Sequence, residues 1–125
     1  MRKTAAVVWH SHATTLRRAA QEVAGELAVA VYSARYLQEG KEDFTAALAD
    51  LRVADLIFFY RSAGETVWAE LEAAVKDFGR PVVCVAHDPG LWALSTVSPE
   101  MVPRCYEYVV QGGVANSRGW SATWW

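Results

Sequence analysis

Apolar and polar positions alternate along this chain on two length scales. Short, continuously apolar runs are separated by longer stretches in which apolar residues recur three and four apart. Residues 4–9, β-branched in part, predict a strand buried on both faces. A helix is expected next, with Thr14 or Thr15 as its cap and Leu16, Ala20, Val23, Ala24 and Leu27 on one stripe. A second short strand, 28–32, leads into polar residues and Gly40. Helical spacing returns over about 42–51, with Phe44, Ala47, Leu48 and Leu51 in register. Residues 55–60, centred on Leu56-Ile57-Phe58-Phe59, are the most apolar strand, and 65–78 repeat the helix with Trp68, Leu71, Val75 and Phe78 on one side. Gly79 and Pro81 stop that helix, and 81–86 give a fourth strand. Strands alternating with helices at this interval imply parallel βαβ units in an α/β fold: a flavodoxin-like open parallel sheet of about four to five strands flanked by helices.

The last third follows a different pattern. Residues 89–98 read as loop or broken helix, and 99–111 as a helix with Met101, Val102, Cys105, Tyr106 and Val109 on one stripe, ended by Gly112-Gly113. The α/β domain therefore takes in 1–113. From Val114 onward, 114–125 read as the start of a further element. Trp120, Trp124 and Trp125 are hard to bury in a domain already complete, which suggests truncation from a longer chain; a tail folded back over the sheet edge is the other reading.

A length of 125 residues suits one domain with one core. At this size roughly two-thirds of the unfolded surface is buried, so neither disulfides nor a structural metal are required. Cys84 lies in an apolar run and Cys105 on the expected helix, and neither has a partner at zinc or redox spacing. Reduced packing residues and a cytoplasmic setting are expected. Twelve basic against fourteen acidic residues leave a net charge of −2 without long blocks of either sign, so no affinity for nucleic acid or anionic lipid is expected. The apolar start after Met1-Arg2-Lys3 is too short for a signal peptide or a membrane span.

Candidate chemistry collects where the strands end. All three histidines, His10, His12 and His87, follow the first and fourth apolar runs, at the carboxyl edge where open α/β sheets hold ligands. In an extended segment His10 and His12, two apart, would point the same way and could hold a cation between neutral imidazoles. With His87 and Asp88 they would make a nitrogen and carboxylate site for Co, Zn or Mn; the alternative is loop histidines bonded to backbone. Proton shuttling is a third role open to an imidazole here. Arg61, followed by Ser62, ends the third strand, and Arg35 takes the matching place after the second. Either guanidinium could grip a carboxylate bidentately, or pair at the surface with acids such as Glu65 or Glu39. Asp88 before Pro89-Gly90 also suits a turn cap.

These strand ends form an ordered series: Trp9-His10-Ser11-His12, Val31-Tyr32-Ser33-Ala34-Arg35, Phe59-Tyr60-Arg61-Ser62-Ala63 and Ala86-His87-Asp88-Pro89-Gly90. With Tyr108-Val109-Val110-Gln111-Gly112-Gly113-Val114-Ala115-Asn116, the series resembles the N-terminal region of the cobaltochelatase large subunit, the CobN and magnesium-chelatase H-subunit family. Each motif is short, and their order carries the resemblance. It implies part of a much longer protein that inserts cobalt, or magnesium, into a tetrapyrrole, with ATP hydrolysed by separate motor subunits. The metal is then a substrate, with cobalt and a corrin precursor favoured, and the domain supplies tetrapyrrole or interdomain contacts while inactive alone. His10, His12, Arg61, Ser62, His87 and Asp88 are its candidate ligand-binding residues.

Other uses of such a fold find less support. Ser11-His12-Ala13-Thr14-Thr15 has the hydroxyls of a flavin-phosphate loop but no glycine. A cobalamin-binding Asp-x-His-x-x-Gly motif would need an acid at His10 and a glycine at Thr15. No acid lies within residues 5–15 to make a phosphoacceptor cluster, and no Rossmann or Walker glycine loop offers a nucleotide site. The remaining alternative is a self-contained flavodoxin-like module that binds a small anionic ligand or a metal at the strand ends.

Overall fold

The computed structural model describes residues 2–22, 27–61 and 66–85, without the side chains of Arg2, His12, Ala19, Glu22 and Leu27. The elements are β1 (Arg2–Val8), α1 (His10–Glu22), β2 (Leu27–Ser33), α2 (Ala34–Gln38), α3 (Phe44–Val53), β3 (Leu56–Tyr60), α4 (Val67–Lys76) and β4 (Val82–Val85). The described strands form one parallel sheet in the order β2-β1-β3-β4. This is the open flavodoxin-like α/β arrangement that the alternation of patterns predicts. The expected elements beyond residue 85, and the 114–125 segment, lie outside the described residues.

Successive residues of a strand face opposite sides, so each apolar run feeds two core layers. Ala5, Val7, Ile57, Phe59, Val82 and Cys84 pack on one face with Ala47 and Leu51 of α3 and Trp68, Leu71 and Val75 of α4. Ala6, Val8, Phe58, Tyr60, Val83 and Val85 pack on the other with Ala13 and Leu16 of α1. Phe59 meets the edge of the Trp68 ring with centroids 5.7 Å apart. Every residue of β3 and β4 is buried, which is why these strands read as unbroken apolar runs. Cys84 is a buried thiol outside any disulfide; burial first, and then the negative charge of Glu72, push its pKa up to about 12. Cys105 lies outside the described residues. No helix among the described residues is long and apolar enough to cross a membrane.

Several elements differ from the sequence expectation, and Leu27, expected on the stripe of the first helix, opens β2 instead. Helix α1 begins at His10, ahead of both threonines proposed as caps. That first turn is needed to bring Ala13, as well as Leu16, down onto the sheet. Helix α3 begins at Phe44 because Asp43 is its N-cap, accepting from the backbone N–H groups of Thr45 and Ala46. Between β2 and α3 a five-residue helix, α2, appears where only polar connection was expected. Its N-cap is Ser33, whose hydroxyl oxygen accepts from Tyr36 N. Gly40, after α2, has φ of +74°, a conformation other residue types adopt only under strain.

Candidate functional site

The strand register brings the carboxyl ends level. Val8 is paired with Ser33 on one side and with Tyr60 on the other, and Tyr60 with Val85. The ladder runs one step further, Trp9 N donating to Tyr60 O (3.1 Å) and Arg61 N to Val85 O (2.8 Å). His10, Ser33 and Arg61 thereby stand along one edge. The chain leaves β1 for α1 on one face and β3 for α4 on the other. The strand order reverses between β1 and β3, the position where open α/β sheets form their ligand crevice. Trp9 lies at that point, 37% exposed, its ring 6.3 Å from that of Tyr60.

His10 is half-buried and held on two sides. Its Nδ1 is 2.9 Å from Ser33 Oγ, and its ring centroid is 4.4 Å from that of Tyr36. Ser33 is fully buried, and its N–H donates to Glu42 Oε1 at 2.9 Å. The second oxygen of Glu42 takes Arg17 Nη2 at 2.7 Å, and Arg17 also donates to Val31 O from Nε (3.3 Å) and Nη2 (3.1 Å). One carboxylate so ties α1, the end of β2 and the approach to α3 together beneath the histidine. Lys41 Nζ stands 5.3 Å from the Tyr36 ring centroid.

Arg61 is more buried than its place at an edge suggests. Its Nη1 lies 3.0 Å from Glu72 Oε1 of α4, with 26% and 21% of the two side chains exposed. The contact is an ion pair without hydrogen-bond alignment, since Glu72 Oε1 makes no hydrogen bond. The expected surface pairing of the arginine is therefore met by Glu72, eleven residues on; Glu65 lies outside the described residues. Arg35 takes the bland role foreseen for it, pairing with Glu39 at 3.1 Å on an exposed face. Hydrogen bonds from Arg35 and then Lys41 hold the Glu39 carboxyl below its ordinary range.

The extended histidine pair expected after the first strand does not form. His10 and His12 belong to the first turn of α1 and not to an extended segment. On a helix, residues two apart do not share a face. The His12 side chain, Ser62, His87 and Asp88 lie outside the described residues. Among the described residues no three His, Cys, Asp or Glu gather to hold a metal ion.

Four residues that matter at this edge were not singled out from the sequence: Ser33, Tyr36, Glu42 and Arg17. Ser33 had a readable signal, a serine directly ahead of a potential helix turn. Glu42 had none, because its partners are 9 and 25 residues away.

No family model matches the chain, and no curated protein matches it. Among solved structures, its fold is similar to that of the catalytic subunit of cobaltochelatase from Mycobacterium tuberculosis, with a TM-score of 0.72 and 20% sequence identity. The match covers 98% of this chain and 10% of that one, so the chain spans about a tenth of the subunit's length. The likeness is one of fold, and it falls on the protein type that the ordered strand-end motifs resemble.

Proposed function

We propose that this chain acts as a domain of a cobaltochelatase-like large subunit, lending tetrapyrrole or interdomain contacts to an enzyme whose metal-inserting chemistry needs the rest of the assembly. The observation that carries the reading is the fold match along nearly the whole chain to a segment of one such subunit. Motif order in the sequence supports it independently. Cobalt enters as a substrate, and ATP is hydrolysed by partner motor subunits.

Within the domain, the carboxyl edge is the surface offered to the tetrapyrrole. Macrocycles of this class carry carboxylate and amide side chains, which suit guanidinium and imidazole donors. Arg61 uses one amino group on Glu72 and keeps the remaining donors of its fork. His10 is bonded at Nδ1 to the neutral hydroxyl of Ser33. Ser62 follows β3 in the sequence, His87 and Asp88 follow β4, and they are candidate ligand contacts together with His12.

Titration of the chain with a metal-free corrin precursor, and separately with protoporphyrin, followed by tryptophan quenching, tests the reading. Saturable binding that weakens about tenfold to a hundredfold in Arg61→Ala, the size of one charge-assisted contact, supports it. Absence of binding to either macrocycle, or binding indifferent to both Arg61→Ala and His10→Ala, removes the tetrapyrrole role.

A further inference from the structure

The hydrogen bond between His10 and Ser33 has a direction, and the surroundings of Ser33 set it. A serine hydroxyl has one hydrogen to give and two lone pairs to accept with. Ser33 Oγ already accepts from Tyr36 N at 3.3 Å, closing the first turn of α2. Its other contact is His10 Nδ1 at 2.9 Å, and the hydroxyl makes no further hydrogen bond among the described residues. The backbone N–H of Ser33 is a separate donor, spent on Glu42 Oε1.

Two arrangements are then possible for a neutral imidazole. If Nδ1 carried the proton, Ser33 Oγ would accept twice and its own hydrogen would be left without a partner on a residue with no exposed surface. If the hydroxyl donates to a bare Nδ1, the N–H of Tyr36, the hydroxyl and Nδ1 are all satisfied. The imidazolium form would meet the same orphaned hydroxyl hydrogen.

We infer that Ser33 is a positioning residue that holds neutral His10 in the Nε2–H form, so that this histidine presents a hydrogen-bond donor to a ligand oxygen rather than a lone pair to a metal ion. The ligand chemistry follows. An oxygen acceptor, a carboxylate in the tetrapyrrole reading on which this part rests, meets Nε2–H without rearrangement. A divalent cation at Nε2 requires the proton to move to Nδ1 and the Ser33 hydroxyl to lose its acceptor. The metal-ligand role considered for His10 is therefore opposed by the residue beneath it, whereas a role in binding the macrocycle's side chains is favoured.

The tautomer is read directly by long-range proton–nitrogen correlation on the ¹⁵N-labelled 125-residue chain, with His10→Gln identifying the His10 signals. The expected result is a bare Nδ1 and a protonated Nε2, in about tenfold excess or more over the other form. Ser33→Thr, which keeps the hydroxyl, should preserve that spectrum, and Ser33→Ala should collapse the excess toward a mixture. Should Ser33→Ala fail to fold through loss of its helix cap, the wild-type and Ser33→Thr spectra decide alone. Zinc chloride added to the wild type should leave the His10 tautomer unchanged. A protonated Nδ1, an even mixture in the wild type, or a stoichiometric zinc-induced switch of His10 to the Nδ1–H form would overturn the inference. Failure of tetrapyrrole binding would instead count against the proposed function and leave the tautomer result standing.

Discussion

Replacing Glu42 by alanine removes two interactions at once: the acceptor of the Ser33 N–H at 2.9 Å and the partner of Arg17 at 2.7 Å. The two losses differ in size. Ser33 is fully buried, so its N–H loses a charge-assisted bond with no water to replace it, a loss of about 1.5–3 kcal/mol. The ion pair is more open, with 41% of the Arg17 side chain and 16% of that of Glu42 exposed. Screening limits its share to about 0.2–1 kcal/mol, and Arg17 keeps its bonds to Val31 O. Glu42→Ala should therefore cost about 2–4 kcal/mol. Glu42→Gln keeps a carbonyl oxygen for the Ser33 N–H and loses only the charge, so about 1 kcal/mol is expected. Urea unfolding followed by circular dichroism measures both. With a slope of about 2 kcal/mol per molar urea, the midpoint falls by about 1–2 M for alanine and about 0.5 M for glutamine. A Glu42→Ala midpoint within experimental error of wild type would refute the claim that this carboxylate braces the edge. Equal losses for the two variants would show that charge, and not the bond to Ser33, is what counts.

Three further outcomes concern other parts of the domain. Burial, and then the hydrogen bond it donates to Asp50, raise the Tyr32 hydroxyl pKa above its ordinary value, so this group's stabilising contribution is full below about pH 10 and declines as pH rises past it. Tyr32→Phe should flatten that alkaline decline in urea titrations across pH. Burial works to raise the Asp50 pKa, but the bonds from Tyr32 and Lys3 outweigh it and lower it; its contribution is present above the ordinary carboxylate range and lost toward acid, a loss that Asp50→Asn should abolish. At the start of α4, Gln38 Oε1 accepts from the N–H groups of Thr66 and Val67, so Gln38→Ala should cost about 0.5–2 kcal/mol and speed hydrogen exchange at those two amides.

The strands were legible because burial on both faces writes itself as unbroken apolar runs. Residues 55–60 and 81–86 contain β3 and β4 with only end residues to spare. Their parallel pairing followed from the intervening helical spacing. Helix starts were less legible. The hydroxyls of Thr14 and Thr15 imitate a cap, yet α1 starts after Trp9, a residue whose side chain carries no capping oxygen. Helix α2 was hidden for another reason. Five residues are too few to show a period, and the groups that fix it, the Ser33 cap and the bonds of Gln38 to the start of α4, belong to tertiary structure.

The location of the edge could be read because a parallel sheet sends every strand's carboxyl end to the same side. What could not be read is how each edge residue is held. His10 is braced from the β2 side, through Ser33 and Glu42, and Arg61 from the opposite face, through Glu72 of α4. These supports share no residue. Side chains held before a ligand arrives lose less freedom on binding than loop side chains left loose. The two braces also differ in kind. A neutral hydroxyl gives the His10 contact a direction, whereas a carboxylate beside Arg61 offsets part of its charge and leaves the rest of the guanidinium fork as donors. Under the proposed reading, a ligand with acceptor oxygens on separate arms of one rigid body matches such an edge better than a compact cation, which would have to overcome the Arg61 charge. The residues beneath the surface, Ser33, Glu42 and Glu72, therefore fix how the edge side chains are held, more than the histidines that first draw attention.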